Sequence, residues 1–379
     1  MLGTATLLAT LLVGPVQAAA GGHVVETPSS SLVPSVELGL GYHSNVWHAP
    51  TGAVGAPSLL VHPSLEARRH REDWSLDLDA DYDLRLYTPG TELFAHSRWM
   101  DGAVALDLDV REGRGVGFEL EADAAVDDPQ EVPAHTRLRG GLAPRVVLRP
   151  ASAIELRLGG TLAGEEHRGP WDLASSSALG PRLEAGPTWE ARWRFFPRTA
   201  LIVQGGYLLE QRVGSTGTLF DLWGGLRGRL TPRLTMALLA GYGSARVNGV
   251  PLLGGVQRLL IQARIDADLR AGTASLSYRK DHADPHISEL VTFHRLDGRI
   301  AAQPWGRLGW ELALTGAGEA YLGSVTRADL LLMARPGLSW QLSRRLSASA
   351  GGGWVMRASS DPSASFTDLE LRAGVTAEW

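Results

Sequence analysis

Cysteine is absent from all 379 residues. That excludes structural disulfides, thiolate-ligated zinc and thiol chemistry, and it suits a chain exported through an oxidising compartment. Lysine is nearly absent as well, with Lys280 the only one among 36 Lys and Arg residues. A formal net charge of −5 is too small to make nucleic acid or anionic lipid the main partner. Past the first twenty residues there is no uninterrupted apolar run near the roughly 18 residues that a membrane-spanning helix needs. The remaining chain is either soluble or a barrel, and no shift of composition marks a domain boundary inside it.

What is present is read first as an expected leader. Met1 to Ala20 carries the apolar run Leu7, Leu8, Leu11, Leu12, Val13, a breaking Gly14-Pro15 and the small-residue exit Val16-Gln17-Ala18-Ala19-Ala20, the pattern of a secretory signal peptide. The expected organisation is a signal peptide over 1–20, a short periplasmic segment over 21–33 and one continuous architecture over 34–379.

From Ser35 onward, segments alternate apolar and polar residues with period two, separated by Gly, Pro, Ser, Asp or Asn. The clearest sets Trp74, Leu76, Leu78, Ala80, Tyr82, Leu84 and Leu86 against Asp77, Asp79, Asp81, Asp83 and Arg85. Successive strand side chains point to opposite faces, so these are two separate faces of one strand, whereas a helix would mix them. Val104, Leu106, Leu108 and Val110 then oppose Asp107 and Asp109, and Phe118, Leu120 and Ala122 oppose Glu119, Glu121 and Asp123. Further strands are expected around Leu40, Leu65, Leu142, Leu158, Leu183, Val203, Leu226, Leu238, Ile265, Leu276, Phe293, Leu312, Leu332, Ala350 and Ala373. The fold class read from this is all-β, a transmembrane antiparallel up-and-down β-barrel of about 18 strands, with 16 to 20 inside the reading, each of about 9 to 11 residues. A soluble sandwich or propeller shows the same alternation, but here an apolar face recurs in every strand opposite a frankly charged one. Closure also removes exposed strand edges.

Connections alternate in length. Short turns are expected at Arg149-Pro150, Phe196-Pro197-Arg198, Thr231-Pro232-Arg233, Ala271-Gly272, Gln303-Pro304 and Ser343-Arg344. Longer ones are expected at Trp47 to Pro57, Asp127 to His135, His167 to Ser177, Val247 to Gln257 and Ser359 to Ser363. Short periplasmic turns and long extracellular loops would leave both termini in the periplasm of an outer membrane. Trp74, Phe195, Phe196, Trp305 and Trp379 suit an interfacial girdle.

The chain stops on Leu369-Glu370-Leu371-Arg372-Ala373-Gly374-Val375-Thr376-Ala377-Glu378-Trp379. Arg372, Gly374, Ala377 and Trp379 resemble the membrane-insertion signal of Gram-negative outer-membrane barrels: a polar residue, a glycine two further on, a hydrophobic position and a terminal aromatic. That resemblance implies outer-membrane lipid as surroundings and the barrel-assembly machinery as a partner. The opening strand Val36-Glu37-Leu38-Gly39-Leu40-Gly41-Tyr42-His43-Ser44-Asn45-Val46 is similar to the first strand of bacterial porins associated with exopolysaccharide secretion. It implies periplasmic or inner-membrane export components as further partners.

A barrel of 16 to 18 strands is wide enough for an aqueous channel. Candidate pore-lining residues are Asp77, Asp79, Asp81, Asp83, Arg85, Asp107, Asp109, Glu119, Glu121, Asp123, Arg137 and Arg139, with Arg145 and Arg149 beyond them. An acidic wall adjoining a basic one would place a transverse field on solutes, although any water-filled barrel needs a polar interior. A guanidinium can grip carboxylate or sulfate on a sugar polymer, but biased genome composition explains the arginine excess more cheaply. Trp189, Trp193, Trp223, Trp310, Trp340 and Trp354 could stack on sugars or face lipid.

Enzyme chemistry finds little purchase. His282 and His286 flank an Asp-Pro turn and lack the helical face of a zinc motif, so a solvated loop is expected. His43 and His48 fall on opposite faces of an extended chain. Gly214-Ser215-Thr216-Gly217 lacks the spacing of a nucleophile elbow. No cofactor or metal is implied. The expectation is a passive outer-membrane pore, the exit channel of an exopolysaccharide. The alternatives are a structural or adhesion barrel of an envelope complex and an outer-membrane hydrolase.

Overall fold

The computed structural model describes residues 25–27, 29–46, 50–87, 98–112, 115–127, 136–168, 181–212, 215–248, 256–283, 290–322 and 327–379. The expected signal peptide lies outside them. The described strands are β1 (Val25–Thr27), β2 (Ser30–His43), β3 (Ala56–His70), β4 (Trp74–Tyr87), β5 (Arg98–Glu112), β6 (Val116–Asp127), β7 (Thr136–Ala151), β8 (Ile154–Arg168), β9 (Arg182–Phe196) and β10 (Thr199–Arg212). They continue as β11 (Ser215–Thr231), β12 (Leu234–Asn248), β13 (Val256–Leu269), β14 (Gly272–Ala283), β15 (Leu290–Ala302), β16 (Leu308–Leu322), β17 (Arg327–Gln341), β18 (Leu346–Ser359) and β19 (Phe366–Glu378). Among the described residues there is no α-helix, only a 3-10 turn at Pro362–Ala364.

Strands β2 to β19 form a closed 18-strand antiparallel barrel in which each strand pairs with its sequence neighbours. Closure comes where β19 meets β2, with Ala373 opposite Leu40 and Val375 opposite Leu38. The small β1 pairs only with the start of β2, Val25 opposite Leu32. All the expected strand centres fall in these strands, although Leu183 opens β9 rather than centring it. Strands run to 12–17 residues, longer than expected, because hydrogen bonding continues past the height that apolar side chains cover. The expected boundary at residue 34 falls inside β2. Arg149-Pro150 is not a turn either, since β7 runs through it to Ala151.

Register fixes the faces. Directly opposed residues point the same way, so parity passes from strand to strand and returns consistent after a full circuit. One face carries Leu38, Leu40, Leu59, Leu86, Leu158, Leu238, Leu338 and Leu371, all exposed. It is the outer one, because a continuous apolar band of this kind needs lipid against it. Trp189, Trp193, Trp340 and Trp354 lie on it and are exposed, and Trp310 joins them opposite Leu338. Trp223 alone of that group points inward, at 5% exposure.

Prolines inside the sheet also face outward and interrupt the ladder, as expected of a residue without an N–H. At Pro336 the β17–β18 pairing lapses between Ala334 and Gly337, and at Pro63 the β3–β4 pairing lapses between Val61 and Ser64. At one end of the barrel the turns are tight, such as 197–198 and 232–233. The tight 303–307 turn uses Gly306 at φ 67°, a left-handed conformation that glycine adopts without strain. Trp379 ends at this same rim, its N–H donating to the Pro34 carbonyl at 3.1 Å, and exposed Phe196 and Trp305 stand elsewhere along that rim. The opposite rim carries the longer connections, among them 44–55 and 360–365.

Candidate functional site

The inner face is built from charges two residues apart on one strand. Side chains at i and i+2 share a face, and an arginine is long enough to fold back onto a carboxylate at that spacing. Arg68 meets Glu66 at 3.2 Å, Arg85 meets Asp83 at 3.3 Å and Arg157 meets Glu155 at 3.0 Å. Arg264 meets Asp266 at 2.8 Å, Arg295 meets Asp297 at 2.8 Å and Arg327 meets Asp329 at 2.9 Å. Arg182 with Glu184, Arg192 with Glu190 and Arg279 with Asp281 repeat the motif. Each pairing lays a guanidinium along the wall instead of across the interior.

The residues expected to line the interior stand on this face: Asp77, Asp79, Asp81, Asp83 and Arg85 on β4, Asp107 and Asp109 on β5, Glu119, Glu121 and Asp123 on β6, Arg137 and Arg139 on β7. The acidic strands collide across the sheet. Asp77 lies opposite Asp107, and Asp107 opposite Glu121, a row of like charges that costs folding energy. Its two ends are relieved by cations. Glu121 receives both guanidinium nitrogens of Arg145 at 2.6 and 2.9 Å, and Asp77 lies 4.0 Å from Arg68. Among the described residues, Asp79, Asp81, Asp107 and Asp123 have no cation within 4 Å. From β7 to β9 the wall becomes a paired network, where Glu155 gathers Arg149 at 3.1 Å, Arg157 at 3.0 Å and Arg192 at 3.5 Å.

Asp83 and Arg85 are not open lining. Both are 7% exposed, drawn into a cluster across the closing seam near the long-loop rim. Arg85 donates to His43 Nε2 at 2.7 Å and to Glu370 at 2.8 Å, while His43 Nδ1 lies 3.1 Å from Asp368. Asp368 also accepts the Asn45 N–H at 2.8 Å and the Ser44 hydroxyl at 3.1 Å. The sequence discounts His43 and His48 as a joint site, and the fold gives His43 these partners instead. An Asp–His pair can activate a nucleophile only through a free Nε2 lone pair, and here Arg85 holds that lone pair. The cluster closes the sheet.

On β10 to β13 the inner face turns apolar. Ile202, Trp223, Leu239 and Leu260 form a buried cluster, with the Trp223 indole against Gly241, where a Cβ would approach the ring to 3.0 Å. Trp223 Nε1 donates to Asp221 at 2.8 Å. A covered indole is not a stacking platform for a passing solute.

In β19, Arg372 and Gly374 face inward opposite Gly41 and Gly39, whereas Ala377 faces outward opposite Val36. His282 belongs to β14, opposite Thr292, and not to a loop, because pairing with β15 extends the strand to Ala283. His48 and His286 lie outside the described residues, and no group of three or more His, Cys, Asp or Glu able to hold a metal occurs among the described ones.

No family model matches the chain, and no curated protein matches it in sequence. Solved structures do match in fold. Pseudomonas aeruginosa OccK2 (OpdF), crystallised in complex with glucuronate, is similar at 12% identity over 92% of this chain and 98% of its own, with a TM-score of 0.50. P. aeruginosa OpdK with vanillate shares 14% identity over 92% of this chain and 99% of its own, with a TM-score of 0.47. The FrpB iron transporter of Neisseria meningitidis shares 9% over 91% and 81%, with a TM-score of 0.48. The likeness to OccK2 is one of fold, the closed antiparallel barrel of outer-membrane porins.

Proposed function

We propose that this chain is a passive outer-membrane pore, its long-loop rim outside the cell and both termini in the periplasm, through which an exopolysaccharide leaves. The observation that carries the reading is the recurrent folding-back of arginines onto carboxylates of their own strand. A barrel of this strand number has an interior wider than side chains fill, and charges held flat leave that width to water and solute. A wall of satisfied carboxylates and guanidiniums exchanges hydrogen bonds with a hydroxyl-rich polymer without binding it tightly. No energy source or covalent step is needed in the barrel, so periplasmic and inner-membrane components drive transport. Insertion relies on the assembly machinery reading Arg372, Gly374, Ala377 and Trp379.

The test is conductance of the purified barrel in planar bilayers, followed by current block with the polysaccharide of its own cell. Stable channels blocked by the polymer are expected. Absence of conductance under every condition would sink the pore and favour a structural barrel, and channels indifferent to the polymer would leave a pore for small solutes.

A further inference from the structure

Inside the barrel many arginines are neutralised by a carboxylate of their own or a nearby strand, and the chain's only lysine breaks this habit on the other face. Lys280 on β14 lies directly opposite Ile261 of β13 and His294 of β15. Ile261 shares the parity of the exposed, lipid-facing Leu259 and Ile265, so Lys280 faces lipid too. Among the described residues no carboxylate lies within 4 Å of it. Asp281, next in sequence, points inward and is held by Arg279. An ammonium on the lipid face of a barrel is costly at mid-membrane and nearly free near the interface, and Lys280 stands near the long-loop end of a strand that finishes at Ala283.

Its neighbours complete a head-group site. His294 is exposed, and its Nδ1 lies 2.9 Å from the Tyr278 hydroxyl. With the hydroxyl donating, the other ring nitrogen carries a proton and is a donor. Beyond His294 the same row runs to Gly318 and then Leu330. A Cβ at Gly318 would meet nothing within 4 Å, and exposed Leu330 opposite it and Leu296 two residues along the row beside it flank the shallow floor it leaves. An ammonium, an imidazole N–H and a phenol stand at the rim end of a leucine-walled trough.

We propose that this patch binds one outer-leaflet glycolipid, the phosphorylated lipid A, with a phosphate against Lys280 and His294 and an acyl chain over Gly318. Charge complementarity points to the head group: among the described residues no counter-ion stands beside this lysine, and a phosphate supplies one. The proposal rests on the outer-membrane reading with the long loops outside, since that orientation puts the trough in the outer leaflet.

The test is lipid binding to the full-length barrel in detergent, followed by native mass spectrometry. The probes are bisphosphorylated lipid A, dephosphorylated lipid A and phosphatidylglycerol. The expected result is preference for bisphosphorylated lipid A, weakened about tenfold by Lys280→Met and restored by Lys280→Arg. Dephosphorylated lipid A should bind the three proteins alike. Heat-modifiable migration on gels reports that each variant is folded. Equal lipid A affinity in the folded Lys280→Met variant overturns the proposal, as does preference for phosphatidylglycerol. A separate arm checks orientation: Thr51→Cys, a lone thiol in the 44–55 loop, should react with an impermeant maleimide on intact cells. Labelling only after lysis would overturn the orientation itself, whereas labelling of intact cells without lipid A preference would sink the lipid site alone.

Discussion

His43 and Asp368 stand 325 positions apart in the chain and 3.1 Å apart in the fold, imidazole to carboxylate, across the seam where the last strand meets the first strand of the barrel. The backbone ladder of that seam runs from Ser35–Glu378 up to His43–Glu370, one further bond joins the Ser44 N–H to the Leu369 carbonyl at 2.9 Å, and side chains extend the seam, with Asp368 accepting from His43, Ser44 and the Asn45 N–H. Asp368→Ala should strip these donors of their acceptor inside a buried cluster, a loss of about 1–3 kcal/mol for an orphaned buried group. The expected outcome is an earlier urea midpoint in detergent with unchanged barrel content by circular dichroism. An unchanged midpoint would show that the ladder alone holds the seam.

The acidic wall makes the opposite prediction for stability. Asp107 lies between Asp77 and Glu121 in direct cross-strand opposition, so Asp107→Asn removes repulsion on both sides and should stabilise the barrel by about 0.2–1 kcal/mol. The same change removes a carboxylate that has no cation beside it, and with Asp79→Asn it should lower the cation preference measured as reversal potential across a salt gradient. A double variant that is stabilised with no change in reversal potential would reduce this wall to polar lining.

Period two alone made the wall legible. With Leu76 and Leu78 facing outward, Asp77 and Asp79 must point in, and the same alternation marks the last strand as the one that closes on the strand near Leu40, whereas the register, Ala373 opposite Leu40, is visible only in the fold. Parity within a strand could not say which face of Trp223 or Trp310 met lipid, because both faces of those strands carry apolar residues, and only register carried round from β2 resolves it. The His43 cluster was hidden for a different reason. Its members sit on β2, β4 and β19, and a long guanidinium crosses β3 to join them. The register of the fold supplies the closing pair: with Ala373 opposite Leu40, Glu370 falls opposite His43. The paired motif of an arginine two residues from an acid, as in Glu155-Leu156-Arg157, is visible in the sequence as well.

The 360–365 connection titrates outside the sheet. Asp361 accepts from the Ser363 hydroxyl at 2.7 Å and its N–H at 3.0 Å, and these bonds hold its carboxyl below the ordinary 3.8. A depressed carboxyl contributes order that is complete above its ordinary pKa and is lost as pH falls through the lower, folded value. The turn at Pro362–Ala364 should therefore keep its protease resistance from neutral pH down to about pH 4 and lose it only in stronger acid. Asp361→Ala should be cleaved faster already at neutral pH. Softening of the wild-type turn between pH 7 and 5 would contradict this.

Trp223 distinguishes an interior aromatic that serves passage from one that serves the wall. It is 5% exposed, packed with Ile202, Leu239 and Leu260 and tied by its indole N–H to Asp221. Truncating a buried aromatic to alanine costs about 3–5 kcal/mol, because the transferred surface is lost and a cavity remains. Trp223→Ala should therefore lower the unfolding midpoint far more than Trp193→Ala, whose ring is 53% exposed on the outer face. Trp223→Phe, which keeps most of the apolar volume but cannot donate to Asp221, should fall between them. Polymer block of single-channel current should change little in folded Trp223→Phe, since the ring does not reach the solute. A large loss of block with little loss of stability would instead make the indole a stacking surface, exposed to the solute when the channel conducts.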